Sequence, residues 1–200
     1  MIALVGSELH RMATVRSSRA SLAVSVPLAA LVGWVNIDGW SLLVWLGAFA
    51  FAVMVVAQHH QHRTAVLLYL ARPGRLPVLA GQVITAVLVA VGFAATSGVA
   101  VLARGEGDRY ANNLIAVSLT AVLGAAVTAV VRRPAWLFLA VAGWIVLAEG
   151  LLGRLSAPLP FSALLGISTG DRQRLLIAVS WAVLALLGAA VAVHRDVSGD

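Results

Sequence analysis

Residues 58–82, QHHQHRTAVLLYLARPGRLPVLAGQ, interrupt a chain that otherwise consists of long apolar runs. The segment opens on His59, His60, His62 and Arg63 and closes on Arg72, Pro73, Gly74 and Arg75. A stretch this polar does not sit in hydrocarbon, where every backbone and side-chain polar group needs an internal partner. It marks a place where the chain leaves a bilayer and returns to it, so the apolar runs on either side read as membrane spans. The segment itself either lies on the membrane surface or meets another protein.

Composition supports that reading. Hydrophobic residues make up 61% of the 200 and charged residues 11%, where a soluble domain carries roughly a quarter charged. Cysteine is absent, which excludes disulfides, thiolate metal ligands and cysteine nucleophiles. All 14 basic residues are Arg, so neither a phosphate-loop lysine nor a Schiff-base lysine exists here. In a soluble chain a net charge of +6 would suggest nucleic acid. Here the arginines gather at the ends of apolar runs, which is the pattern of membrane anchoring.

Working outward, the pattern predicts an all-α membrane protein with six transmembrane helices. Residues 1–19 lack the long apolar core of a signal peptide. They read as an interfacial helix, with Leu9, Met12, Ala13 and Val15 set against Glu8, Arg11, Arg16 and Arg19. The spans are expected at about 20–35, 40–57, 78–102, 114–131, 135–152 and 175–193, each near the ~20 residues a bilayer requires. Pro27 predicts a kink in the first. Asn36, Asp38 and Gly39 predict a tight turn, and 104–112 a polar, turn-rich loop. With the N-terminus inside, Arg11, Arg16, Arg19, Arg63, Arg72, Arg75, Arg132, Arg133 and Arg195 fall inside, leaving five arginines outside. That bias places both termini in the cytosol.

Several residues invite chemistry. Glu149 stands alone as an acidic residue within an apolar span, and an ionisable group there is a functional candidate. Two readings stand: it pairs with Arg154 at the interface, or it faces the outer mouth of a cavity. His59, His60 and His62 have metal-ligand spacing, but no cysteine or nearby carboxylate completes a ligand set, so no metal is expected. Trp34, Trp40 and Trp45 read as interface anchors, as does Trp136. Trp144 and Trp181 lie deeper. The small-residue patches Gly124, Ala125, Ala126 and Gly188, Ala189, Ala190 permit close helix approach. No nucleophile elbow, carboxylate pair or phosphate loop is present.

Three segments together carry a family resemblance. SELHRMATVRSS pairs an acidic residue and Leu with basic residues and Thr-x-Arg-Ser. HRTAVLLYLARPGRLPVLAGQ follows, and then VRRPAWLFLAVAGWIVLAEGLL with PLPFSALLGI. In their order and spacing these resemble the small ABC-2 type permeases, the six-span membrane subunits of bacterial ABC exporters. His59, Arg63 and Gln82 depart from the usual Glu, Gly and Lys at their positions.

The resemblance implies a short coupling helix within residues 58–77 that docks on an ABC ATPase subunit. Contacts would come from His62, Arg63, Thr64, Leu67, Leu70, Arg72 and Arg75. It implies short re-entrant helices within 156–171 that cap an outer exit. It also implies a substrate route lined by spans one, two and five, for which Trp34, Trp45, Trp144, Glu149 and Phe161 are the candidates. The partner would be a second copy or a sister permease. ATP and Mg would sit on the separate ATPase subunits, so that this chain is neither an enzyme nor a cofactor binder. A stand-alone membrane scaffold or immunity protein is the alternative.

Overall fold

The computed structural model describes residues 5–7, 9, 10, 14, 16–61, 75–131, 133–152 and 157–195, with main chain alone at 16–18, 58–61, 75, 152 and 195. Its main elements are helical, as a chain that must satisfy its own backbone in hydrocarbon requires. They are α1 (Arg16–Val35), α2 (Ile37–Gln61), α3 (Arg75–Ser97), the short α4 (Val99–Ala103), α5 (Gly107–Val131) and α6 (Pro134–Gly143). A π-helical segment (Trp144–Leu152), α7 (Pro160–Ser168) and α8 (Arg172–Arg195) complete the order.

Five stretches are long and apolar enough to cross a membrane: Ile37–Ala57, Leu76–Ala103, Gly107–Val131, Pro134–Leu151 and Arg172–His194. The apolar part of α1, Arg19–Val35, is shorter. The chain is therefore an all-α protein of membrane-spanning character.

The centre is a triangle of α2, α3 and α5, each packed on the other two, with α8 and α7 against α5 and α1 against α2 and α3. Small residues at a spacing of four bring these helices together. Ala48 and Ala52 on α2, Ala86, Ala90 and Ala94 on α3, and Ala121, Ala125 and Ala129 on α5 are all buried. Lipid tails are as apolar as leucine, so helices in a bilayer associate through such close packing. Gly124 shows how close: a Cβ there would stand 3.1 Å from the Ala52 Cβ and 3.3 Å from the Phe49 carbonyl oxygen. The second small-residue patch packs only in part. Ala189 is buried, but Gly188 is exposed, with open space beside it.

The breaks between helices are tighter than expected. The turn at 36–39 narrows to Asn36, whose Oδ1 accepts from the Asp38 and Gly39 N–H groups at 2.9 and 3.2 Å. That is an N-cap, and it starts α2 at Ile37, drawing Asp38 and Gly39 into the first helical turn. The polar loop after α4 likewise shrinks to Arg104, Gly105 and Glu106, since α5 begins at Gly107. At Gly105 (φ 80°) and Gly170 (φ 83°) the left-handed residue closes a pair of backward hydrogen bonds. Gly105 N to Leu102 O and Glu106 N to Val101 O form one pair; Gly170 N to Ile167 O and Asp171 N to Gly166 O form the other. Gly105→Ala is expected to cost roughly 1–2 kcal/mol, the left-handed penalty for a residue with a Cβ. A lowered thermal midpoint in detergent would register it.

At this end of the bundle Arg104 Nη1 donates to the Gly33 and Trp34 carbonyls at 3.3 and 3.0 Å, satisfying the last turn of α1. Arg109 pairs with Asp38 at 3.1 Å on the surface. Trp40 is fully buried, donates from Nε1 to Ser97 Oγ at 3.2 Å and stacks on Tyr110 with centroids 6.2 Å apart. Trp45 is buried as well. Neither is an interface anchor, contrary to the sequence reading; of the four expected anchors, Trp34 and Trp136 are exposed. The cause is the early start of α2, which sets Trp40 within the bundle beside the break at Gly98.

Of the other expected features, the 58–77 segment divides. Its residues 58–61 continue α2 and 75–77 open α3, while 62–74 lie outside the described residues. Helix α1 begins at Arg16, so the interfacial stretch and the first apolar run share a helix there. Glu8 and Arg11 lie outside the described residues, and Arg19 is exposed.

Candidate functional site

Helix α7 lies between the α6–π run and α8, inside the 156–171 segment, and has a specific need at its N-terminus. An α-helix leaves its first N–H groups without internal partners. Pro160, at the first helical position, has no N–H, and the Ala163 N–H already reaches the Leu159 carbonyl at 2.9 Å. The Phe161 and Ser162 N–H groups remain, and Leu159 supplies no side-chain cap. Glu149 takes both. Its Oε1 accepts from Phe161 N at 3.0 Å and its Oε2 from Ser162 N. Oε1 also accepts from Trp144 Nε1 at 3.0 Å. The side chain is 0% exposed.

Glu149 is therefore a helix cap supplied from another helix. Its oxygens meet N–H donors at the positive end of the α7 dipole, the favourable place for an acidic group. Its burial departs from the reading in which it faces a cavity mouth; Arg154, the partner in the other reading, lies outside the described residues. Burial of this polar group is tolerable because its acceptor capacity is used.

The π winding makes the pairing with Trp144 possible. In an α-helix of 3.6 residues per turn, residues five apart point about 140° away from each other. The wider π-helix bonds each residue to the one five along, which brings Glu149 back over Trp144. The winding thus turns one residue of an exposed helix into a buried anchor for its neighbour.

Further bonds hold the approach to α7. Ser162 Oγ donates to the Ala157 and Leu159 carbonyls at 2.6 and 3.1 Å. From α8, Arg174 Nη1 donates to Ala157 O at 3.2 Å and Trp181 Nε1 to Pro158 O at 3.1 Å. Phe161 meets Phe49 of α2 edge-on, with centroids 6.2 Å apart. Helix α7 and the residues leading into it are thereby tied to α2, the π segment and α8.

Of the sequence-predicted pathway residues, Trp144, Glu149 and Phe161 come together here, and Trp45 lies near them across an apolar cleft that it lines with Phe161. Trp34 does not join them; it is exposed at the end of α1. The expected docking residues His62, Arg63, Thr64, Leu67, Leu70 and Arg72 lie outside the described residues, and Arg75 is described only as the start of α3. Sequence reading missed Ser162 and Arg174, and it named Trp181 only as a deeper tryptophan without its bond to Pro158. The one available signal was Pro160, which favours the first position of a helix. Among the described residues, no group of three His, Asp or Glu side chains could hold a metal ion.

Comparison with protein-family models, with curated proteins and with solved structures gave no match.

Proposed function

We propose that this chain is the membrane subunit of an ATP-driven ABC-2 type exporter in a bacterial cytoplasmic membrane. It crosses six times, with α1 as a short first span and both termini cytosolic. It works beside a second copy or a sister permease, on separate ATPase subunits that bind ATP and Mg. The cargo is hydrophobic or amphipathic, in keeping with the few charges along the spans.

The observation that carries the reading is the capped helix α7. The resemblance calls for short helices between the last two spans, preceded by a late acidic residue in the fifth. A nine-residue helix stands in that interval, and the late acidic residue caps it. Support also comes from the order of the three resembling segments and from the polar stretch between α2 and α3. A span cannot continue through that stretch, and it carries the residues expected to meet the motor.

The test is co-purification from native membranes, with ATPase activity assayed on the eluate. An ATPase is expected to come with the native chain. A chain carrying Arg63→Asp, Thr64→Asp and Leu67→Asp should lose it, because like charge and lost apolar contact both oppose docking. If the native chain brings no ATPase activity, the exporter reading fails and a stand-alone scaffold or immunity protein takes its place.

A further inference from the structure

Helix α7, which Glu149 anchors, also forms one wall of a partly open cleft, with Leu42 and Leu46 half exposed at its rim. Between α2, α5, the α6–π run and α7 lies a cleft of about 180 Å³. Its walls include Trp45 and Phe49 from α2, Thr120 from α5, Val141 from α6 and Phe161 from α7.

Two polar groups belong to this lining, and neither is offered to an occupant. The Thr120 hydroxyl donates to the Ala116 carbonyl at 2.8 Å within its own helix. The Trp45 Nε1 is sealed in the wall, without a hydrogen-bond partner and without contact to solvent. The cleft therefore presents hydrocarbon and ring surface. A cavity of that character stays dry and binds apolar molecules: one of ~150 Å³ lined by aliphatic and aromatic side chains holds benzene. Aromatic rings favour edge-to-face and offset contacts with other rings, and Trp45, Phe49 and Phe161 supply three.

We infer that this cleft is a binding site for a single aromatic ring of a hydrophobic molecule dissolved in the membrane. The volume sets the size of the buried group and the lining sets its chemistry. The site is built by one copy of the chain and needs neither an ATPase nor a second permease, so it stands or falls separately from the exporter reading. The wall that α7 supplies makes the geometry of the site depend on the Glu149 cap.

The test uses the full chain in lipid nanodiscs with its six tryptophans labelled with ¹⁵N at the indole nitrogen. The Trp45 signal is identified by its loss in Trp45→Phe. Benzene is the probe. The Trp45 indole resonance should shift saturably while those of exposed Trp34 and Trp136 stay in place, with cyclohexane competing several-fold more weakly. Val141→Phe, which fills the cleft, should abolish the saturable shift while leaving the remaining indole resonances where they were. Three results would overturn the inference: no Trp45 shift, a drift of all resonances in proportion to added benzene, or a saturable shift that survives Val141→Phe. Equal competition by cyclohexane would overturn the assignment to an aromatic ring. A cleft already filled by bilayer acyl chains would give the first of these results.

Discussion

Glu149→Ala is expected to release the N-terminus of α7. The substitution leaves the Phe161 and Ser162 N–H groups and the Trp144 indole N–H without acceptors, where Glu149 serves all three. A buried donor left unpaired costs roughly 1–3 kcal/mol; the Ser162 bond is buried and the other two are part-buried, so a total of about 3 kcal/mol assigns most of the loss to Ser162. Amide hydrogen exchange reads this locally. Exchange at Phe161 and Ser162 should quicken by about a hundredfold, at about 1.4 kcal/mol per tenfold, while amides in the middle of α5 keep their rates. Glu149→Gln sharpens the test. An amide keeps one acceptor oxygen and turns a donor toward the other side, so it can serve the Trp144 and Phe161 pair or Ser162, not both. It should fall between the native chain and the Ala variant. Unchanged exchange at both amides in Glu149→Ala would dismiss the cap as the anchor of α7.

Trp40→Ala is the second large effect. Its side chain is among the largest that are fully buried. It joins three helices, because it lies on α2, bonds to Ser97 on α3 and stacks on Tyr110 of α5. Truncating a buried Trp or Phe to Ala costs about 3–5 kcal/mol, mostly from the cavity left behind. Within a bilayer that loss is one of packing, since lipid offers the same apolar environment as the core. Survival of the folded chain after heating in detergent, read by size-exclusion chromatography, should drop sharply. Trp40→Phe keeps most of the ring packing and gives up the bond to Ser97, so it should cost only about 1 kcal/mol. Gly98→Ala probes the same junction from the other side. Its Cβ would meet the Tyr110 ring at 2.5 Å and the Trp40 ring at 2.7 Å, so the stack must shift and overpacking of this kind costs about 1–3 kcal/mol. If Trp40→Ala survives heating as the native chain does, Trp40 is not a keystone of the bundle.

Which residues were legible in advance follows from what each signal measures. Hydropathy reports the length of an apolar run, and it located the ends of the spans from 40 onward to within about three residues, except that the helix expected from 114 begins at Gly107. Turn chemistry reports local backbone needs, so the breaks at Asn36, Arg104–Glu106 and Pro134 could be read, although their widths were overestimated. The face a span turns inward was not legible. A span apolar on every side carries no stripe to show which residues are buried. Trp34, Trp40 and Trp45 therefore looked alike in the sequence, yet the first is exposed and the other two are core. For the same reason Trp45 and Phe161 could be named as candidates without any sign that they share a cleft.

By itself, the sequence determined that this is an all-α protein of the membrane, where its apolar runs begin and end, and that Glu149 was the acidic residue to explain. These are properties of composition and local order, and a bilayer enforces them directly by excluding unpaired backbone and uncompensated charge. Only the tertiary structure decided what Glu149 does. Two of its three partners are backbone N–H groups 12 and 13 residues away, and every non-proline residue carries an identical N–H. No side-chain pattern could single those two out. Their need for a partner arises because Pro160 and Leu159 leave the start of α7 incomplete, and Glu149 reaches them because a π-helical turn swings it inward.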